Sequence, residues 1–228
     1  MNLNVFIAKS GYCSRRDATA LIKEGKVSIN GKVSLEPWTP IGEKDSVKVR
    51  GKLLSPEKNV YLVFNKPKGV TSTVEDPFAS KKVVDYIPKH FGRVYPVGRL
   101  DKESRGLMIL TNDGELCYRM THPKFGVDKE YIVTVKGRVV QDVLSRFRKG
   151  IREGDDLLRV RSAYIEKSSA ERSTVKVIVR EGKKRHIRRL FECLDFEILD
   201  LVRVRIGSLR LGDLREGEFR VVDRKSIC

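Results

Sequence analysis

The sequence of 228 residues predicts an α+β protein with two parts: a small αα-βββ domain, followed by a larger domain built on a mixed or antiparallel sheet. Helical periodicity followed by alternating apolar runs marks the first 55 residues. Beyond residue 60, strand-like runs outnumber helical ones, and most connections look short or hairpin-like. The segment 51–59 contains Gly, Ser and Pro without a clear period, so it is predicted to link domains 1–55 and 60–228.

In the first domain, a helix is predicted over 15–23 because Ser14 lies three residues before Asp17, a spacing that resembles a capping box. A β-hairpin is predicted at Asn30–Gly31, since Asn-Gly favours the positive φ angles of a type I′ turn. In the second domain, strands are expected near 60–65, 94–97, 106–111, 129–136, 157–165, 173–180 and 198–205, and helices near 81–87, 114–120, 139–148 and 186–194.

Composition limits the class of protein. There are 47 Lys and Arg residues against 30 Asp and Glu, a formal net charge of +17, and 40% of residues are hydrophobic. That balance favours a folded, basic protein with a polyanionic partner. No apolar run is long enough to cross a membrane, and no secretory signal is recognisable, so a cytoplasmic protein is expected. Four isolated cysteines, Cys13, Cys117, Cys193 and Cys228, predict reduced thiols with no zinc site or disulfide.

The first domain carries a basic cluster formed by Arg15, Arg16, Lys23 and Lys26. Taken alone, it is most simply a solvated helix face. However, the motifs G-x-x-S-R-R-x-A and L-I-K-x-G-K-V-x-I-N-G-K, followed by a D-x-V-x-V strand, closely resemble the S-four-type RNA-binding domain. The resemblance implies that these four cations bind a phosphate backbone, which suits cations placed beside the free amides of a helix start.

The most informative part of the second domain is the polar loop from Gly98 to Gly106, which lies between two apolar runs. Its single Asp, Asp101, stands among Arg99, Lys102 and Arg105. Two interpretations are equally open from the local pattern: a charged hairpin that only solubilises the turn, or a functional carboxylate. Neighbouring cations favour the ionised form of a carboxylate, which suits a nucleophile or a base if RNA is held beside it.

Four ordered motifs between Tyr61 and Val204 resemble those of RsuA/RluB-type pseudouridine synthases, in which an S-four-type domain commonly comes first. They are VFNKPKGVTST, VGRLDKESRGLMILTNDGEL, HPKFGVDKEYIVTVKG and EGKKRHIRRLFE. The resemblance implies the family's fold and an enzyme that isomerises one uridine of ribosomal RNA to pseudouridine without cofactor or metal. It makes Asp101 the catalytic residue, and leaves open whether this carboxylate attacks the sugar covalently or removes a ribose proton to give a glycal.

The same resemblance implies that Tyr131 stacks on the flipped uracil, although a strand-start Tyr is also ordinary core packing. It implies in addition a basic residue that pairs with Asp101. On a helical wheel, Arg188 lies at the edge of the apolar arc formed by Ile187, Leu190, Phe191 and Leu194, so it is the preferred candidate. Arg189 is the alternative if the helix is rotated.

The remaining cations of these motifs are predicted to bind RNA: Lys66, Arg99, Lys183, Lys184, Arg185 and Arg189. The protein is expected to act as a monomer without an obligate protein partner. A second function is open, that of a catalytically inactive RNA-binding or ribosome-assembly factor on the same fold. The presence of Asp101, Tyr131 and Arg188 together argues against it, because a pure binder needs only the cations. The sequence identifies neither the target uridine nor the ribosomal subunit that contains it.

Overall fold

The computed structural model describes residues 1–227 and divides into two compact units. The first unit comprises Met1–Val60 and Lys89–Val94, and the second comprises Tyr61–Pro88 and the chain from Tyr95 onward. Three cysteines, Cys13, Cys117 and Cys193, are free thiols, whereas Cys228 lies outside the described residues. None of the helices within residues 1–227 is long and apolar enough to cross a bilayer.

The first unit packs two helices on a four-stranded sheet. Its elements are α1 (Leu3–Lys9), α2 (Arg15–Lys23), β1 (Val27–Ile29), β2 (Lys32–Val33), β3 (Val47–Val49) and β4 (Lys52–Leu54), with strand order β2-β1-β3-β4. The predicted capping box is confirmed, since the amide of Asp17 donates to Ser14 Oγ at 3.1 Å and the amide of Ser14 to Asp17 Oδ2 at 3.3 Å. The predicted hairpin turn is confirmed by positive φ angles of 50° and 83° at Asn30 and Gly31.

The interval 51–59 is not a simple linker. Its first part forms β4, which pairs with β3 after a second tight turn at Arg50 and Gly51, where φ is 49° and 80°. Leu54 is buried in the core of the first unit. The strand was missed because it offers only two apolar residues, too few to show a period. The first unit also contains Lys89–Val94, which the predicted division assigns to the second domain; here Arg93 Nη1 donates to the Cys13 carbonyl at 3.3 Å.

The second unit is built on a mixed sheet, as predicted, with the central order β11-β12-β8-β13-β7-β5-β15. All pairs are antiparallel except β7 with β13. The strands are β5 (Tyr61–Lys66), β6 (Tyr95–Pro96), β7 (Arg105–Thr111), β8 (Lys129–Lys136), β9 (Ile151–Glu153), β10 (Asp156–Leu158), β11 (Ser162–Ser168), β12 (Arg172–Val179), β13 (Ile198–Ile206), β14 (Leu209–Arg210) and β15 (Phe219–Val221).

Three α-helices accompany this sheet: α3 (Gly114–Thr121), α4 (Gln141–Lys149) and α5 (His186–Glu192). They agree with three of the predicted helices, whereas the helix expected near 81–87 is a short 3₁₀ turn, Val83–Tyr86. The strand expected at 157–165 is divided between β10 and β11. β10 pairs with the preceding β9 in a short hairpin that was not predicted, and this hairpin carries the acidic residues Glu153 and Asp156.

The backbones of the parallel strands β7 and β13 approach each other closely at Gly106. The pairing joins Val202 with Arg105 and Arg203 with Gly106. Gly106 has φ +105°, and a Cβ atom there would lie 2.4 Å from the Arg203 carbonyl oxygen and 2.7 Å from its nitrogen. Only glycine fits this position, because the obstacle is backbone that a rotamer change cannot move. Gly106 therefore fixes the strand that leaves the Asp101 loop against the strand that carries Arg203.

We expect Gly106→Ala to lower the free energy of unfolding by about 3 kcal/mol or more, the sum of left-handed backbone strain and a forced shift of β13. Gly137→Ala is the matched control: Gly137 also has positive φ (+85°), but no atom lies within 4 Å of a Cβ built there. It should cost only about 1 kcal/mol. Urea unfolding of both variants measures the difference, and equal losses would contradict the assigned close approach.

Candidate active site

The second unit contains an open cleft of about 860 Å³. Most of its lining comes from the loop 71–78, the loop 98–104, the start of β8, the segment 179–188 and the middle of β13, and Thr121 at the end of α3 completes it. Asp101, Tyr131 and Arg188, which lie up to 87 positions apart in the chain, all line this one cleft. The structure thus brings together the three side chains to which the sequence assigned chemistry.

Asp101 lies in the loop that joins β6 to β7, and the backbone on both sides of it is fixed. Leu100 exchanges two hydrogen bonds with the buried Ser72 hydroxyl, its carbonyl accepting at 2.7 Å and its amide donating at 3.1 Å. The Lys102 carbonyl accepts from the amide of Gly69 at 2.8 Å, and the Ser104 amide donates to the Asp101 carbonyl at 3.0 Å. The backbone that carries Asp101 is thus held at several points, which limits how far this loop can move.

Lys66 does not face solvent or RNA, so its predicted role in RNA binding is wrong. Its side chain is completely buried, and Nζ donates to the carbonyls of Pro67 at 2.9 Å, Lys102 at 3.3 Å and Ser104 at 2.7 Å. Burial lowers the pKa of Lys66 to about 8, against the opposing effect of the charges on Glu103 and Asp101. The ammonium therefore anchors the Asp101 loop through the Lys102 and Ser104 carbonyls. All three of its N–H donors bond within the protein, so none is left for RNA.

Tyr131 lies on β8 between Val177 of β12 and Arg203 of β13, and only 9% of its surface is exposed. A nearly buried ring at the wall of a cleft leaves a small flat apolar surface, which suits a planar base. Lys129, two residues earlier on the same strand, also lines the cleft. Burial, together with the charge of Arg203, lowers the pKa of Lys129.

Arg203 is a site residue that the sequence analysis missed. It is only 2% exposed, lines the cleft, and donates from Nε to the Leu107 carbonyl at 2.7 Å. Within residues 1–227, its buried Nη2 has no hydrogen-bond partner. An Arg inside the apolar strand ILDLVRVRI was the available signal, because a charged residue is rarely buried without a specific reason.

Arg188 reaches the Asp101 loop, although not in the way the sequence suggested. Its guanidinium donates from Nη2 to the Glu103 carbonyl at 2.9 Å and to Ser104 Oγ at 3.3 Å. The predicted ion pair with Asp101 is not among the ion pairs of the described residues, so the pairing stays a prediction. Burial, followed by the charge of Arg185, lowers the pKa of Arg188 against the opposing charges of Asp101 and Glu103.

Arg189 faces the β9–β10 hairpin. Its guanidinium pairs with Glu153 and, at 2.8 Å, with Asp156. The helical wheel predicted this division, since Ile187, Leu190 and Phe191 are buried and Arg188 lies at the edge of that face. Arg189 is thus engaged with acidic groups of the protein, so neither its predicted RNA contact nor its alternative role beside Asp101 fits the structure.

We expect Arg188→Gln to lower kcat by about 100-fold, because a donor that orders the Asp101 loop is lost. Arg189→Gln, the same substitution at the next position, should leave kcat within about threefold and cost less than about 1 kcal/mol of stability, since its partners are partly exposed. Single-turnover rates of the two variants make the comparison. A larger kinetic loss for Arg189→Gln would reverse the assignment.

The other cations predicted to bind RNA differ in whether their side chains are exposed or paired with acidic residues. In the second unit, Lys183 pairs with Asp156 at 3.0 Å and Arg185 with Glu192 at 2.8 Å, whereas Arg99 and Lys184 are exposed at the cleft. In the first unit, all four predicted cations are exposed: Arg15, Arg16, Lys23 and Lys26. Over the described part of the chain, no cluster of three or more His, Cys, Asp or Glu side chains is arranged to hold a metal ion.

Asp101, the Tyr131 ring and Arg188 meet in a basic cleft on a mixed sheet, an arrangement that suits an enzyme acting on an extruded base of a polyanion. The solved structures agree: the chain superposes over 100% of its length on 98% of the chain in a crystal structure of pseudouridylate synthase, with a TM-score of 0.69 and 28% identity. The fold predicted from the sequence is thereby confirmed.

The sequence belongs to the RNA pseudouridylate synthase family, whose model matches residues 60–193, while the model of the S4 domain matches residues 1–47. It is 37% identical to ribosomal large subunit pseudouridine synthase B of Bacillus subtilis (strain 168), over 86% of this chain and 81% of that protein. It is 35% identical to the dual-specificity RNA pseudouridine synthase RluF of Escherichia coli (strain K12), over 87% and 67%. The predicted enzyme class, an RNA pseudouridine synthase, is confirmed.

Proposed function

We propose that this enzyme isomerises a specific uridine of ribosomal RNA in the cytoplasm, acting as a monomer, with Asp101 as its catalytic residue. The observation that carries the proposal is the Asp101 loop: a carboxylate whose flanking backbone is tied by Ser72, Lys66 and Arg188 at the mouth of a basic cleft. Similarity to synthases named for ribosomal large subunit RNA supports this class of substrate.

In the proposed reaction, the bond between uracil N1 and the ribose anomeric carbon breaks, and a bond from ring carbon five to the same carbon forms. The proton on carbon five is lost and N1 gains one, so the reaction is balanced without an oxidant or another reactant. Asp101 serves either as the nucleophile at the sugar or as the base that removes a ribose proton. Tyr131 supports the face of the turning base beside the activated sugar.

Some of the cations are available to bind RNA, whereas others bind acidic groups or carbonyls of the protein itself. Arg99 and Lys184 are exposed at the cleft, where they are placed to meet phosphates. Arg15, Arg16, Lys23 and Lys26 of the first unit provide a second basic surface, which we propose docks the RNA. This arrangement favours an enzyme with a separate docking domain, in which most of the affinity is electrostatic and falls with salt.

The direct test is incubation of the purified protein with small- and large-subunit ribosomal RNA transcripts tritiated at uracil carbon five. Isomerisation should release tritium to water up to one equivalent per target uridine, from one of the two transcripts, and pseudouridine should be found at one position. Tight RNA binding without tritium release from either transcript would support the alternative, an inactive ribosome-assembly factor. Absence of both would contradict the proposal as a whole.

A further inference from the structure

The first unit exposes an aromatic side chain that its folding does not explain. The indole of Trp38 is 57% exposed, in a turn that leads to Pro40. This turn is well anchored, because the amides of Leu3 and Asn4 at the start of α1 donate to the carbonyls of Thr39 at 2.9 Å and Pro37 at 3.1 Å. Those bonds satisfy amides that a helix start otherwise leaves free. Trp38 is therefore held outward by rigid backbone.

The surroundings of Trp38 are those of a nucleic-acid site. Arg15, Thr19 and Lys23 of α2 follow one another at intervals of four residues, so they form one stripe along the helix. The guanidinium carbon of Arg15 lies 5.9 Å from the centroid of the indole ring. Thr19 and Lys23 line a groove of about 400 Å³ together with Leu35, Glu36, Pro37 and Trp38. The exposed aromatic ring thus lies beside two cations of one helix stripe, Arg15 and Lys23, which are about 12 Å apart along the helix axis.

We propose that Trp38 is a stacking platform for an unpaired base of the RNA, whose flanking phosphates are bound by Arg15 and Lys23. The proposal rests on the proposed RNA substrate and names how the first unit holds it. Every base offers a flat face, so stacking supplies affinity without sequence specificity, while the neighbouring cations neutralise phosphates. An indole beside a helix stripe of Arg and Lys presents both kinds of contact at once, which selects a single-stranded or bulged nucleotide over a regular duplex.

The chain contains a single Trp, so tryptophan emission, excited at wavelengths that its seven Tyr residues do not absorb, reports on this site alone. The experiment titrates the full-length protein with a 12-nucleotide unstructured RNA and follows Trp emission, together with the anisotropy of the same RNA carrying a terminal dye. Stacking predicts that emission is quenched with the same midpoint as the anisotropy change. An RNA of equal length in which every base is absent should bind through its phosphates and leave the emission almost unchanged.

Variants distinguish stacking from a merely structural effect. Trp38→Ala should weaken RNA binding about 5- to 100-fold without changing the dependence of affinity on salt, because no phosphate contact is lost. Trp38→Phe should stay within about threefold of wild type. Arg15→Gln should instead reduce the salt slope by about one. Leu53→Ala removes a side chain of similar exposure (61%) from β4 and serves as the control with unchanged affinity.

The outcomes separate the two proposals. Failure of the wild-type protein to bind RNA at all would contradict the proposed function. Normal RNA binding with unquenched Trp emission, or with equal affinity for Trp38→Ala, would overturn the stacking platform alone. A lower salt slope for Trp38→Ala would also overturn it, since it would mean that the indole only positions Arg15. If Trp38→Ala fails to fold, the wild-type quenching titration and Trp38→Phe still decide.

Discussion

Lys66→Met is expected to lower kcat about 100-fold while leaving RNA affinity within about threefold. Met fills the space of the Lys stem but donates no hydrogen bond, so the carbonyls of Lys102 and Ser104 lose a common donor. Those residues follow Asp101 by one and three positions. A shift of about 1 Å in a catalytic group costs about this much in rate. Single-turnover kinetics with saturating enzyme isolates the chemical step from binding.

The matched control for this prediction is Lys68→Met, the same substitution two residues later in the same turn. The ammonium of Lys68 is partly exposed and pairs with Asp200 at 2.8 Å. Its removal should change kcat by less than about threefold, because no bond to the Asp101 loop is lost. A comparable drop in kcat for both variants, or a large loss of RNA affinity for Lys66→Met alone, would contradict the assignment of Lys66 to loop positioning.

Lys66 also predicts a pH dependence of stability. Its pKa of about 8 in the folded protein lies below the unfolded value of 10.5, so between these values the unfolded chain binds more protons. Burial of the charged Lys66 ammonium therefore lowers the free energy of unfolding by its full amount below pH 8. This destabilisation decreases as the pH rises and Lys66 loses its proton. The free energy of unfolding of wild type, relative to Lys66→Met, should therefore increase by up to about 2 kcal/mol between pH 7 and 9.5. A constant or falling difference would mean that the ammonium is not desolvated.

The sequence singles out the candidate site residues, but it does not show which residues hold them in place. Asp101 and Tyr131 were found because ordered motifs mark them, and the structure places both in one cleft. Lys66 was misplaced because a Lys before Pro-Lys-Gly looks like the end of a strand that emerges into solvent. The carbonyls that bury it come from residues 67, 102 and 104, and no local pattern reports that convergence.

The choice between Arg188 and Arg189 shows the same limit. Periodicity oriented α5 correctly, because the apolar arc of Ile187, Leu190 and Phe191 is the buried face. It did not show what Arg189 meets, since the β9–β10 hairpin was not predicted and supplies the acidic partners Glu153 and Asp156. Burial of Arg203 behind Gly106 likewise depends on the parallel pairing of β7 and β13, which brings together residues 97 positions apart.

The largest effect is expected for Asp101→Asn, which should abolish isomerisation by at least about 10⁴-fold, because an amide is neither a nucleophile nor a base. The carboxamide has nearly the same shape, so the fold should be preserved. RNA affinity should be equal or somewhat tighter, since one negative charge is removed from a cleft that receives a polyanion. This substitution therefore separates the carboxylate proposed to perform the reaction from the cations proposed to hold the substrate.

The control is Asp76→Asn, the same substitution at another acidic residue of the same cleft. Asp76 Oδ1 accepts a hydrogen bond from the amide of Phe78 at 2.9 Å, which the Asn carbonyl oxygen can still accept. The decisive measurement is single-turnover tritium release from uracil carbon five by wild type, Asp101→Asn and Asp76→Asn, with RNA binding followed in the same samples. We predict full release by wild type and Asp76→Asn, and no release by Asp101→Asn despite bound RNA. Release by Asp101→Asn above about 1% of the wild-type rate would contradict the assignment of the chemistry to this carboxylate.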